Sequence, residues 1–337
     1  MNSRNLPRGF PHSINLPGAW DGNQFANENE YIYDLSSSEI QEVRDALSHF
    51  KGLGLDGDLI CRENFPLPIL GVKFDCIRLD IYEGKGFSLI RGLNPEDHSA
   101  VDLTMMYLGI QSHIANRRGQ QDKNGNMLVH IVADNSSELT RQHHRHSRSE
   151  IMFHNEEAGD IISWLTRSSA ASGGRCIIAS GYTVYNMLSN KSIRLLSQPE
   201  WVFTRFIVNF GRIALVGSAT HPRPTDSPQI SKQQLQALDD IEYAAKRVQL
   251  EIKTKPDDIH FINNLFILHR RDCFKDGDQA GERRHLVRMR LQDDVLHWDL
   301  PDSLRQEWSH CFNMRSAKLW HVDPMPEGYF PLRSYPN

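Results

Sequence analysis

The chain has 337 residues, 39% hydrophobic and 24% charged, with a formal net charge of -4 when histidine is neutral. That length suits one large α/β or β domain, or two small ones, and the composition supports a packed core rather than disorder. The balance of charge excludes the basic face that nucleic-acid binding needs, no run approaches the ~20 apolar residues of a membrane span, and the N-terminus lacks a signal h-region.

Residues 1–34, rich in Pro, Gly and Asn, read as an arm wrapping the surface. The segment SSSEIQEVRDALSHFKGLG reads as a helix. Ser36 to Ser38 offer N-caps, Ile40, Val43, Leu47 and Phe50 recur at helical spacing, and Gly52 and Gly54 end it. CIRLDIYEGKGFSLIRGL reads as two short strands around a glycine turn, and SAVDLTMMYLGIQSHIA as a second helix; Gln111 and His113, near its end, have no assigned role. From about residue 127 short apolar or alternating runs predominate: MLVHIVAD, EIMFHN, DIISWLTR, RCIIAS, RIALVGS, NLFILHRR and HLVRMRLQ. Turn residues separate them, which favours a β-sandwich or barrel with helices on its outside. Two helical inserts interrupt the strands, one near YTVYNMLS and one at SKQQLQALDDIEYAAKRVQLEIKT, about residues 231–254. The basic cluster from Arg141 to His146 reads as a solvated loop. The tail, HVDPMPEGYFPLRSYPN, reads as extended, with Tyr329 and Phe330 either folding over a pocket or capping the core. Five cysteines, scattered and without a C-x-x-C pair, suit a reduced cytoplasmic protein.

Sixteen histidines hint at metal or acid–base chemistry. Three His-x-acid pairs occur: His154 with Glu156, His297 with Asp299, and His321 with Asp323. On a strand, residues i and i+2 share a face, so such a pair can grip one ion from one side. Only the first pair has a strong third ligand downstream. His269 ends the apolar run NLFILHRR and is followed by ERRHLVRMRL, where Arg284, Arg288 and Arg290 share strand parity. Three guanidinium groups on one face of an apolar strand call for an anionic partner. Two imidazoles and one carboxylate on one face leave open positions on an octahedral ion, the facial triad of non-haem Fe(II) oxygenases. An arginine near those positions can hold a dicarboxylate co-substrate bidentately.

These residues, with GKGFSLIRGL, GQQDKNGNMLVHIV, IMFHNEEAGD, SGGRCIIASGYTVYNML, NLFILHRRDCF and RRHLVRMRL in order over about residues 85–292, resemble the Fe(II)/2-oxoglutarate oxygenases of the taurine dioxygenase (TauD/TfdA) superfamily. The clavaminate synthase-like branch and its fungal relatives from secondary metabolism are the closer match. The resemblance implies an α+β fold with a double-stranded β-helix (jelly-roll) core, flanking helices and a helical insert. It makes the whole chain one oxygenase domain, with 293–337 as a C-terminal segment closing the pocket. It implies Fe(II) on His154, Glu156 and His269, 2-oxoglutarate and O2 as co-substrates, the distal carboxylate on Arg284, and a substrate acid group on Arg288. The substrate would be a small carboxylate-bearing molecule, oxidised at an unactivated C–H by hydroxylation, desaturation or ring closure, with release of succinate and CO2. The presence of Glu156 argues against the related halogenases, which lack this carboxylate.

One position departs from the pattern. A Thr or Ser two residues after the Gly-Gly pair often bonds 2-oxoglutarate in this family; here Gly173-Gly174 is followed by Arg175 and Cys176, and a thiol is a weaker donor. Either Ser180 or another group substitutes, or co-substrate affinity is lower. Asn155 stands where Thr is common and carries no assigned role. By strand parity Glu150 shares the face of the ligands and is a candidate contact for a substrate amine, against a solvated edge carboxylate. His130 is either a pocket residue or a buried structural histidine. Two other functions use the same residues: a zinc hydrolase on the two-His-one-Glu site, with Glu157 as the neighbouring base, and a non-catalytic binding jelly-roll, toward which Cys176 leans.

Overall fold

In the computed structural model, which describes residues 6–122, 125–133, 146–197, 207–217, 229–314 and 318–324, local sequence signals account for most helix starts. After a short strand β1 (Ile32–Asp34), Ser36 and Glu39 form a capping box at the head of α1 (Ser37–Gly52). Val43, Ala46, Leu47 and Phe50 then bury one stripe of that helix. Ser99 caps α3 (Ala100–Ser112) through the Asp102 N–H at 3.0 Å.

Between them the expected first strand of CIRLDIYEGKGFSLIRGL is instead the second half of α2 (Leu70–Glu83). Alternation from Cys76 to Tyr82 misleads. The residues that bury are Leu70, Phe74, Ile81 and Tyr82, at helical spacing, whereas Leu79 stays 48% exposed. The glycine turn does lead into β2 (Phe87–Arg91), which pairs in parallel with β1. The N-terminal arm thus contributes a strand, and its Ile14 and Trp20 enter the core.

The remaining elements are β3 (Arg117–Gly119), β4 (Val129–Val132), β5 (Ile151–His154), β6 (Ile161–Ser168), β7 (Ser172–Gly173), β8 (Cys176–Ser180), α4 (Gly181–Met187), α5 (Asn190–Leu196), α6 (Arg212–Val216), α7 (Lys232–Val248), β9 (Leu250–Ile252), β10 (Ile259–Asn263), β11 (Ile267–Arg271), β12 (Phe274–Lys275), β13 (His285–Gln292) and α8 (Asp302–Asn313). RIALVGS, expected as a strand, makes only a single bridge, Gly211 to His154, and then coils into α6. Its short apolar run between two glycines carries no alternation that would hold it extended. The long insert helix ends at Val248 and its last residues turn into β9.

Two sheets carry the core. The larger runs β1-β2-β10-β6-β13-β3, with β4 also on β13; the smaller runs β5-β11-β8-β9. One face of the larger sheet, with Ile161, Leu165, Ile259, Phe261, Val287, Met289 and Leu291, packs under α1, α2 and α3. The other, with Phe87, Leu89, Ile162, Trp164, Ile262 and Leu286, faces the smaller sheet. The smaller sheet is covered on its far side by α7 through Ala237, Leu238, Ile241, Ala244, Ala245 and Val248. This is the α+β double-stranded β-helix expected from the sequence. All five cysteines are free, and among the described residues no helix is long and apolar enough to cross a membrane.

Candidate active site

β5 and β11 run antiparallel with His154 and His269 as directly opposed Cα partners. Opposed residues project to the same face, and the two imidazoles meet with ring centroids 4.2 Å apart. His154 Nδ1 lies 2.8 Å from the Met152 carbonyl oxygen. A carbonyl only accepts, so Nδ1–H donates and Nε2 is left with its lone pair inward, the form a metal ligand needs.

Glu156 sits beyond the end of β5, so strand parity alone does not hold it. Asn264, in the β10–β11 turn, does so: Glu156 N–H donates to Asn264 Oδ1 at 2.8 Å, and Asn264 Nδ2 donates back to the Glu156 carbonyl at 2.9 Å. Asn155 returns the clasp, its Nδ2 donating to the carbonyls of Asn264 and Ile267 at 2.8 and 2.9 Å. The two buried amides lock the turn that launches β11 to the loop that follows β5. One ligand atom from each of His154, Glu156 and His269 can thereby lie within 4.8 Å of the others.

The facing sheet supplies the guanidinium groups next to Glu156. Leu286, Arg288 and Arg290 share one face of β13, with Arg288 and Arg290 only 3% and 0% exposed. Arg288 forms an ion pair with Glu156 Oε1 and donates to Gln121 Oε1 at 3.3 Å, while Arg290 Nη2 stands 3.5 Å from Glu156 Oε2. Arg284, just ahead of β13, donates through Nε to the Gly174 carbonyl at 3.3 Å and lies over the Phe274 ring. Burial pushes its pKa down to about 10, which leaves it cationic at neutral pH.

Gly173 and Gly174 both have left-handed φ, +73° and +71°. A Cβ on Gly174 would fall 3.0 Å from Arg284 Cδ and 3.2 Å from its Nε. Glycine is needed there both for the turn and for the space beside the guanidinium.

His154, Glu156, His269, Arg284, Arg288 and Cys176 all line one cavity of about 310 Å³. Among the described residues its walls carry six cationic side chains, Arg175, Lys253, Arg270, Arg271, Arg284 and Arg288, against one carboxylate, that of Glu156. Arg175 is tied to Asp272 and Glu251. Cys176 is buried on the wall, and burial pushes its thiol pKa up to about 12.

Other sequence candidates fall elsewhere. Glu150 precedes β5, is exposed, and is not part of the cavity lining. Ser180 is turned away, its Oγ donating to the Gly18 carbonyl at 2.5 Å and capping α4. His130 is a buried structural histidine, bonded to His285 Nε2 at 2.9 Å and to the His321 carbonyl at 2.5 Å. Gln111 and His113 are buried and bond the Ala115 and Phe65 carbonyls. His146 is 2% exposed and bonds the Val132 carbonyl, so the basic cluster is not wholly solvated. Residues 141–145, with Tyr329 and Phe330, lie outside the described residues. Asn264 and Gln121 were missed by sequence reasoning; neither carries a local signal, since each acts only through long-range pairing.

A double-stranded β-helix with two imidazoles and a carboxylate converging between its sheets defines the class of non-haem iron oxygenases. Residues 57–209 and 198–290 match the taurine catabolism dioxygenase TauD, TfdA family. The taurine hydroxylase-like protein SAT17 of Stachybotrys chartarum is 31% identical over 345 residues, covering 93% of this chain and 89% of that protein. FR-33289 synthase of Streptomyces rubellomurinus is 21% identical, covering 88% and 94%. Among solved structures, asparagine oxygenase superposes with a TM-score of 0.57 at 13% identity, over 77% of this chain and 93% of that one. The non-haem iron oxygenase OrfP, in complex with Fe and alpha-ketoglutaric acid, superposes with a TM-score of 0.56 at 16% identity, over 78% and 95%. The chain belongs to the TauD/TfdA dioxygenase family and is an Fe(II)- and 2-oxoglutarate-dependent oxidoreductase.

The glycine cradle gives a direct test. Gly174→Ala lowers stability by about 1–2 kcal/mol through the left-handed backbone alone, and it raises the 2-oxoglutarate requirement because the methyl displaces Arg284. A thermal melt and a 2-oxoglutarate titration read the two effects separately.

Proposed function

We propose that His154, Glu156 and His269 hold Fe(II), that Arg284 binds the distal carboxylate of 2-oxoglutarate, and that Arg288 receives the acid group of a small carboxylate-bearing substrate. The observation that carries this reading is the convergence of all five side chains on one cavity, with the ligands brought together from one sheet and the two guanidinium groups from the other. The residues suit the group they would hold. The donor set is two imidazoles and one carboxylate, His154 has its Nδ1 proton committed to the backbone, and Gly174 leaves open the space beside Arg284.

Bound iron and 2-oxoglutarate supply oxygen activation and oxidative decarboxylation to succinate and CO2. The chain supplies position and field. Arg284 fixes one end of the co-substrate. Arg288, already beside Glu156, presents its charge where a substrate acid enters next to the ligands. Ile131, Ile151, Ile162, Trp164 and Leu286 belong to the apolar part of the lining and exclude water around the C–H to be oxidised.

The excess of cationic groups favours an anionic substrate, and two fold neighbours were crystallised with amino-acid products, 3-hydroxyasparagine and (3S)-hydroxy-L-Arg. An amino acid or a metabolite derived from one is therefore the proposed substrate, with hydroxylation, desaturation or ring closure as the outcome. The free cysteines suit a reducing compartment, which favours a cytoplasmic location.

The test is a screen of L-amino acids and short acids for stimulated succinate formation, with the product weighed by mass spectrometry. Gain of one oxygen marks hydroxylation, and loss of two hydrogens marks desaturation or cyclisation. Tightly held zinc with hydrolytic turnover and no oxygen uptake would overturn the reading.

A further inference from the structure

Cys176 leaves the co-substrate cradle without the hydroxyl that the family pattern places there. Its buried thiol is a weak donor, and Ser180 is engaged at Gly18. Besides Ser168, Ser169 and Ser172, two threonines line the same cavity. Thr166, on β6, is 1% exposed, and its Oγ1 has no hydrogen-bond partner. Thr254, just past β9, is half-buried as a residue, but its Oγ1 is buried and equally without a partner. Buried polar atoms are nearly always bonded, and an orphan calls for a ligand or an ordered water.

Both hydroxyls share the cavity with Arg284. Thr166 is the Cα partner of Leu286, and both side chains line that cavity. β8 and β9 pair Cys176 with Ile252. Thr254 lies two residues past Ile252, and Gly174, whose carbonyl accepts from Arg284, two residues ahead of Cys176. One hydroxyl therefore comes from the larger sheet and one from just past the end of the smaller sheet.

We propose that Thr166 and Thr254 donate hydrogen bonds to the distal carboxylate of 2-oxoglutarate, taking over the contact that Cys176 makes poorly. This rests on Arg284 being the anchor for that carboxylate. A hydroxyl bonded to a carboxylate is a charge-assisted bond, so the contribution appears only when the diacid is bound. In its absence each hydroxyl is a buried group without a partner.

The test is anaerobic calorimetry of 2-oxoglutarate binding to the Fe(II)-loaded protein, with thermal melts of the same samples lacking 2-oxoglutarate. Thr166→Val and Thr254→Val each weaken binding about tenfold or more, the double variant weakens it further, and the melting temperature holds or rises because an orphan hydroxyl has gone. Thr166→Ser keeps the hydroxyl and retains binding. Wild-type affinity in the double variant overturns the proposal, and so does weaker binding accompanied by a lowered melting temperature, which assigns the loss to packing. A wild-type protein that binds no 2-oxoglutarate sinks the co-substrate reading itself, a separate result.

Discussion

His154→Ala protein, titrated anaerobically with Fe(II) and 2-oxoglutarate, gives no metal-to-ligand absorption band, whereas the wild-type protein does. The imidazole is one of only three protein groups proposed to hold the ion, and its loss leaves a two-point grip. Even groups that merely orient a ligand are worth about 10–100-fold in metal affinity, so removal of a ligand itself exceeds that range. Glu156 cannot compensate, because Arg288 and Arg290 already draw on its carboxylate. The fold tolerates the change, since His154 is at the end of β5 and faces the cavity rather than the core. A folded variant with an undiminished band would move the metal to other residues.

Arg284→Ala raises the 2-oxoglutarate concentration needed for half-maximal succinate formation by two orders of magnitude or so. Truncating one partner of a buried, hydrogen-bonded charge pair costs about 2–5 kcal/mol, and each 1.4 kcal/mol is a factor of ten. Arg284→Lys falls between. It keeps a charge but loses the planar fork that meets a carboxylate with two bonds. Lysine also lacks the Nε that holds the Gly174 carbonyl, so the charge is less firmly placed. A 2-oxoglutarate requirement unchanged in Arg284→Ala would transfer the role to another cation of the cavity wall.

The candidate ligands were legible because their signals are short and ordered: a His-x-Glu after an apolar run, a histidine ending a second run, and arginines at strand parity. The register that opposes His154 and His269 gives that order its geometry. What failed did so for identifiable reasons. Cys76 to Tyr82 satisfies both a strand and a helix pattern over a short window, and only tertiary burial decided for α2. β10 went unread because IHFIN is buried throughout, alternates nothing and carries two polar residues, His260 and Asn263. Glu150 shared parity with the ligands, but parity has no force before a strand begins, and β5 starts at Ile151. Asn264 was invisible for a different reason: its amide matters only because a turn distant in sequence folds against Glu156.

His154 and His269, proposed to hold the ion, and Arg288, proposed to hold an acid group, belong to opposite walls of the sandwich. The gap between those walls is set by apolar side chains such as Ile162, Trp164 and Ile178. Substrate length in this enzyme is therefore adjustable from the filling outward: a bulkier or slimmer apolar side chain spreads or narrows the jaws while the triad and its guanidinium partners stay as they are.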